Sequence, residues 1–271
     1  IKFMLISTSE LNSILENSDV IVADTRSFKE YSEGHIPGAV HLDLFAFHWI
    51  DTTKKGIENF NDQARKLFSF LGVTSEKKII FYDSVSGMLA ARGVWMLMYF
   101  SHQNVSMLDG GITKWKKENF SVETKANNFK PSNFSGKINP NIITGFEHIR
   151  DNLDNLKIID ARSAGEYDGS IVRAAQTGHI PNSINIDWNQ NISEDGTFKT
   201  KQSTMTRYTH RENGEKIYST LNGNKSGVST EGVSFSMEIT TPIRFVYDCT
   251  TVGERKKGKV PVEGIQVTTS G

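Results

Sequence analysis

The sequence predicts an α/β fold: two tandem domains, each a central parallel sheet flanked by helices. Three observations predict it. Residues 24–43 read DTRSFKEYSEGHIPGAVHLD, and residues 160–187 read DARSAGEYDGSIVRAAQTGHIPNSINID, so D-x-R-S, E-Y, G-H-I-P and an apolar segment closed by Asp occur twice. A repeat this detailed, in a chain of 271 residues, implies two homologous units. In the first half, short apolar runs alternate with segments of helical spacing, the pattern of a parallel sheet covered on both faces. Between the halves, residues 121–142 are rich in Asn, Ser, Lys and Pro and carry no periodicity, as a linker would. The expected division is 1–120, the linker 121–142, and 143–271, with the pattern weakening after about residue 200.

Taken in order, Ser9 precedes ELNSILEN and reads as the N-cap of a short amphipathic helix. Val20–Ala23 is a brief apolar run ending at Asp24, as a buried parallel strand reads. Phe60 to Leu71 has helical spacing and stops at Gly72, a natural C-cap. Lys78–Tyr82 is a second buried strand, the loop DSVSG follows, and a helix runs from Met88 to Phe100. Val105–Leu108 is a third strand; after the turn DGG comes a helix holding Trp115. The second half restarts with a helix from Gly145 to Leu153 and a strand over Lys157–Asp160.

Bulk properties exclude several classes. Lys plus Arg equals Asp plus Glu at 31 each, so no global field favours nucleic acid. Arg255-Lys-Lys-Gly-Lys259 is basic but has no interleaved aromatics, which argues against a single-strand platform. No apolar run approaches the roughly 20 residues that span a bilayer, and the opening segment soon carries Glu10, unlike a signal peptide. The chain does not begin with Met, which leaves room for trimming or a fragment. One cysteine, Cys249, excludes an internal disulfide framework and CxxC metal sites and fits a reducing compartment, so a cytoplasmic location is expected. No cofactor is expected, and neither His35 nor His179 has a second ligand at metal spacing.

The segments VIVADTRSFKEYSEGHIPGAVHLD, IIFYDSVSGMLAARGVWML and VSMLDGGITKWKKE, with the second G-H-I-P unit, resemble the rhodanese family in its two-domain form. The resemblance covers residues 20–200 well and 200–265 poorly. It implies sulfurtransferase chemistry: a loop cysteine in the C-terminal domain takes sulfur from thiosulfate or 3-mercaptopyruvate as a persulfide, and cyanide or a reduced thiol removes it. It also implies that the partners are a small anionic sulfur donor and a thiol or cyanide acceptor. Such a cysteine must be ionised near neutrality, below its usual value of about 8.5, and a loop of inward N–H groups at a helix N-terminus favours an anion there.

In the first half the loop is Asp83-Ser84-Val85-Ser86-Gly87-Met88, with Ser84 where the cysteine is expected, so this loop reads as the inactive type. In the second half the repeat serves as a ruler. Ser84 lies 49 residues after His35, and 49 after His179 is residue 228. There, Lys225-Ser226-Gly227-Val228-Ser229 fits the end of the family loop C-x-S-G-V-T, and Asn224 occupies the nucleophile's position. Cys249 then falls on the turn after the last strand, beside the first half's Gly110. A competing alignment makes Val246 to Arg255 the active loop, with Cys249 as nucleophile; a third possibility is a tail unrelated to the first half.

The remaining residues divide between anion binding and structure. His179 lies 19 residues after Asp160, whereas His35 lies 11 after Asp24, and the extra residues contain Arg173. The resemblance implies that Arg173 binds the anionic donor, a task suited to a guanidinium fork. Lys225 could steer anions, and Ser226 to Ser229 could bind one. The Asp24/Arg26 and Asp160/Arg162 pairs read as structural strand-end ion pairs, and the two G-H-I-P histidines as turn residues. Two function classes follow: a sulfurtransferase, or a catalytically silent module of the same fold that binds anions or a partner protein.

Overall fold

The computed structural model describes residues 5–45, 47, 53–173 and 177–199, together with the strands 209–212, 215–218 and 245–246. The first unit contains β1 (Leu5–Ile6), α1 (Thr8–Ile14), β2 (Val20–Asp24), α2 (Phe28–Glu33), β3 (Val40–His41), α3 (Lys54–Leu71), β4 (Lys78–Tyr82), α4 (Met88–Tyr99), β5 (Val105–Leu108) and α5 (Gly111–Lys117). Its five strands form one sheet in the order β1-β5-β4-β2-β3, with every pairing parallel.

The central strand β4 shows why the sheet is covered on both faces. Ile79 and Phe81 pack with Phe60, Phe68, Leu97 and Phe100, toward α3 and α4. Ile80 and Tyr82 pack with Leu11, Leu108, Ile112 and Trp115, toward α1 and α5. Alternate side chains point to opposite faces, so a strand apolar at every position has to be buried twice. Each of these side chains contributes about 1.5–3 kcal/mol on leaving water.

Boundaries follow local chemistry. The cap of α1 is Ser7, two residues before the expected Ser9. The Ser7 hydroxyl accepts the Glu10 N–H while the Glu10 carboxylate accepts the Ser7 N–H, a reciprocal box that Ser9 could not form with Asn12. The helix expected from Phe60 starts at Lys54, because Thr53 accepts the Gly56 N–H as its cap. It ends at Gly72 with φ 91°, as expected of a left-handed C-cap.

Residues 121–142 contain no helix or strand, yet they run along the first unit. Glu123 bridges His35 through both backbone bonds, Ser132 and Phe134 donate to Ser69, and the Phe134 ring packs edge-on against Phe68 and Phe100.

The second unit contains β6 (Ile143–Thr144), α6 (Phe146–Asp151), a 3₁₀ turn (Leu153–Asn155), β7 (Ile158–Asp160), α7 (Ala164–Asp168), β8 (Ser183–Asn185) and a 3₁₀ turn (Trp188–Asn191). The expected helix from Gly145 to Leu153 thus stops at Asp151. Beyond these lie the antiparallel pair β9 (Thr209–Glu212) and β10 (Glu215–Tyr218), then β11 (Phe245–Val246). Two pairings repeat the first unit. Strand β7 pairs parallel with β8, Asp160 opposite Asn185, as Asp24 lies opposite His41. Strand β11 pairs parallel with β6, Phe245 opposite Ile143, as Met107 lies opposite Leu5.

Candidate functional site

The loop between β4 and α4 turns N–H groups inward at the start of α4, and the loop's own carboxylate accepts them. Asp83 accepts the Ser84 N–H at 2.7 Å on one oxygen and the Leu89 N–H at 3.2 Å on the other. That second oxygen would lie 2.6 Å from a Cβ at Gly87, so only glycine lets the carboxylate turn in at the helix N-terminus. Burial pushes the Asp83 carboxyl above the usual range against these two N–H bonds, and Asp24 and Glu30 add to the shift. The Ser84 hydroxyl, at the expected cysteine position, donates to Glu30 Oε1 at 3.4 Å. The other Glu30 oxygen caps α2 through Ser27, and that bond holds the Glu30 carboxyl below its ordinary value.

The same loop is where the second half of the chain meets the first. Ser86 N–H donates to Gly196 O at 2.9 Å, and the Ser86 hydroxyl donates to Asp109 Oδ1 at 2.8 Å. Asp109 Oδ1 also accepts the Phe198 N–H at 2.9 Å, and Lys114 pairs with Asp195 at 3.8 Å. A turn of residues 193–199 therefore covers the first unit's loop. Sequence reasoning missed this contact; the D-G pair at Asp195-Gly196 was its only local signal.

The strand-end pairs are structural in both repeats. Arg26 donates to both Asp24 oxygens and, through Nη2, to Gly34 O at 2.9 Å. Arg162 makes the same bonds to Asp160 and reaches Gly178 O at 2.7 Å. In the first repeat Tyr82 adds a hydroxyl bond to Asp24 at 2.6 Å; burial, then the Asp24 charge, drives that phenol well above its ordinary value. The G-H-I-P histidines stack on tyrosines, His35 on Tyr31 and His179 on Tyr167, both at 3.7 Å between ring centres. Each directs Nδ1 at its tyrosine's carbonyl, which can only accept, so Nδ1 carries a proton. Among the described residues no group of three or more His, Cys, Asp or Glu is placed to hold a metal.

Of the sequence-predicted site residues, the structure describes Arg173. It is exposed, and its Nε lies 3.0 Å from Glu166 Oε1. Asn224, Lys225, Ser226, Gly227, Val228, Ser229 and Cys249 lie outside the described residues.

The model of the rhodanese-like domain matches residues 7–118 and 146–232, one match for each repeat. The chain belongs to the rhodanese family. Two curated rhodanese relatives carry activity names. The mouse 3-mercaptopyruvate sulfurtransferase is 32% identical over 185 residues, covering 64% of this chain and 61% of that protein. The Azotobacter vinelandii thiosulfate sulfurtransferase is 33% identical over 187 residues, covering 68% and 69%. The chain therefore spans about three fifths to two thirds of the length of these relatives. Among solved rhodanese structures, the 3-mercaptopyruvate sulfurtransferase SseA from Escherichia coli superposes with a TM-score of 0.61 at 27% identity, covering 73% of this chain and 79% of that one. Among the described residues no helix is long and apolar enough to cross a membrane.

Proposed function

We propose that this rhodanese is a sulfurtransferase that takes a sulfur atom from a small anionic donor, thiosulfate or 3-mercaptopyruvate, carries it as a persulfide, and hands it to a thiol or to cyanide. The observation that carries the reading is the pair of rhodanese repeats in one chain, the arrangement expected of relatives that bear these activity names. With thiosulfate, a cysteine thiolate attacks the outer sulfur, a new S–S bond forms, the old one breaks, and sulfite leaves with the electron pair. Cyanide then attacks the persulfide, thiocyanate departs, and the thiolate returns.

The chain has one cysteine, so a persulfide forms on Cys249 or not at all. The second-loop residues Lys225 to Ser229 would supply N–H and hydroxyl donors, and Arg173 would hold the donor's charge.

A second reading is favoured by Asn224 at the loop position where the family cysteine is expected. An amide is neutral and cannot carry a sulfane sulfur, so on this reading the chain binds anions or a partner protein without turnover. Thiocyanate formation from thiosulfate and cyanide separates the two. Turnover abolished by Cys249→Ser supports the sulfurtransferase; absence of turnover with retained thiosulfate binding supports the silent module.

A further inference from the structure

Glu30 and Glu166 occupy the same place in the two repeats and share one oxygen's task. Each accepts the hydroxyl of the serine three residues earlier at 2.6 Å, closing a capping box that fixes the carboxylate. The other oxygen differs. In the first repeat it faces the loop, accepting the Ser84 hydroxyl; in the second it faces Arg173, with Nε at 3.0 Å.

The chain reaches this arrangement by folding the insertion back over α7. Gly169, at φ 86°, reverses the direction. Ile171 N–H then bonds to Gly165 O at 2.8 Å, and the Ile171 side chain fills the space where a Cβ at Gly165 would sit, 2.7 Å from its Cδ1. The first repeat has Lys29 at the position of Gly165 and lacks the insertion. Glycine at 165 therefore admits Ile171, and Ile171 brings Arg173 onto Glu166.

We infer that Glu166 is a positioning residue: as the ion-pair partner of Arg173 it holds the guanidinium on the side of α7 whose counterpart faces the loop in the first repeat, where its N–H groups can meet an anionic sulfur donor. The inference rests on the donor-binding role proposed for Arg173. The contact is an ion pair between charged groups, and an ionised guanidinium has five N–H donors to offer an anion. The capping box fixes the carboxylate, so the arginine's ion-pair partner is itself held in place.

Glu166→Gln isolates this role, since glutamine keeps the capping box but removes the charge. Thiosulfate binding by calorimetry is compared for the wild type, Glu166→Gln, Arg173→Met and the double variant, with thermal midpoints alongside. Expected is a roughly two- to fivefold weaker binding for Glu166→Gln, the scale of an exposed ion pair, with an unchanged midpoint and no further loss in the Arg173→Met background. Equal binding by Glu166→Gln and the wild type, or equal losses in both backgrounds, overturns the positioning role alone. Unchanged binding by Arg173→Met overturns the donor role of Arg173 and the inference with it.

Discussion

Asp109 accepts the Ser86 hydroxyl at 2.8 Å, and with that bond it ties the turn after β5 to the loop after β4. The same oxygen receives the Phe198 N–H from the second half of the chain. A loop that would otherwise face solvent thereby becomes a junction between the repeats. Asp109→Ala is expected to cost about 1–3 kcal/mol, the scale of leaving part-buried donors without an acceptor. Asp109→Asn, which keeps an acceptor oxygen, should recover most of it. Urea unfolding followed by tryptophan fluorescence measures both.

Asp83 gives a pH signature. Its folded value lies above the unfolded one, because burial disfavours the charged form. A raised group contributes stability that is present below its unfolded value and lost as pH rises through the folded value. Between the ordinary carboxylate range, near pH 4, and the raised value, the wild type should lose a contribution that Asp83→Asn lacks. Stability of the variant relative to the wild type should therefore rise as pH increases across that window, read from urea midpoints at several pH values.

Tyr82 joins two buried partners. Its hydroxyl donates to Asp24 and accepts the N–H of Ile36, a fully buried residue. Tyr82→Phe removes both bonds with little change of shape and strands the Ile36 N–H. The expected cost is about 1–3 kcal/mol, measured by chemical denaturation.

Phe134 tests whether residues 121–142 belong to the first unit's packing. It is buried against Phe68 and Phe100, across from Ser69. Phe134→Ala should destabilise that unit by about 3–5 kcal/mol, as core aromatic truncations do. A freely moving linker would give almost no change in the unfolding midpoint.

The parallel sheet was legible because β2 and β4 are apolar at consecutive positions, and β5 is interrupted only by Ser106, a pattern of strands buried on both faces. The short strands β1, β3 and β8 were not, since two or three residues carry no period; β1 and β3 are held by neighbours already in place. The duplicated Asp-x-Arg ion pairs and the turn role of the G-H-I-P histidines followed from the repeat itself; the stacking of those histidines on Tyr31 and Tyr167 did not. Three further features were not readable in advance. Asp83 filling its own loop depends on a backbone turn at Gly87. The contact of residues 193–199 with Ser86 and Asp109 joins positions 89 and 110 residues apart (198 − 109 and 196 − 86). The Glu166–Arg173 pair needs the reversal at Gly169, and the sequence offered only Arg173 within an insertion.

The most direct test of the proposed function is the mass of the intact protein after incubation with thiosulfate, repeated after cyanide and with Cys249→Ser. The sulfurtransferase reading predicts a gain of one sulfur atom on the wild type, its removal by cyanide, and no gain on the variant. An unchanged wild-type mass under conditions where thiosulfate binds would contradict it.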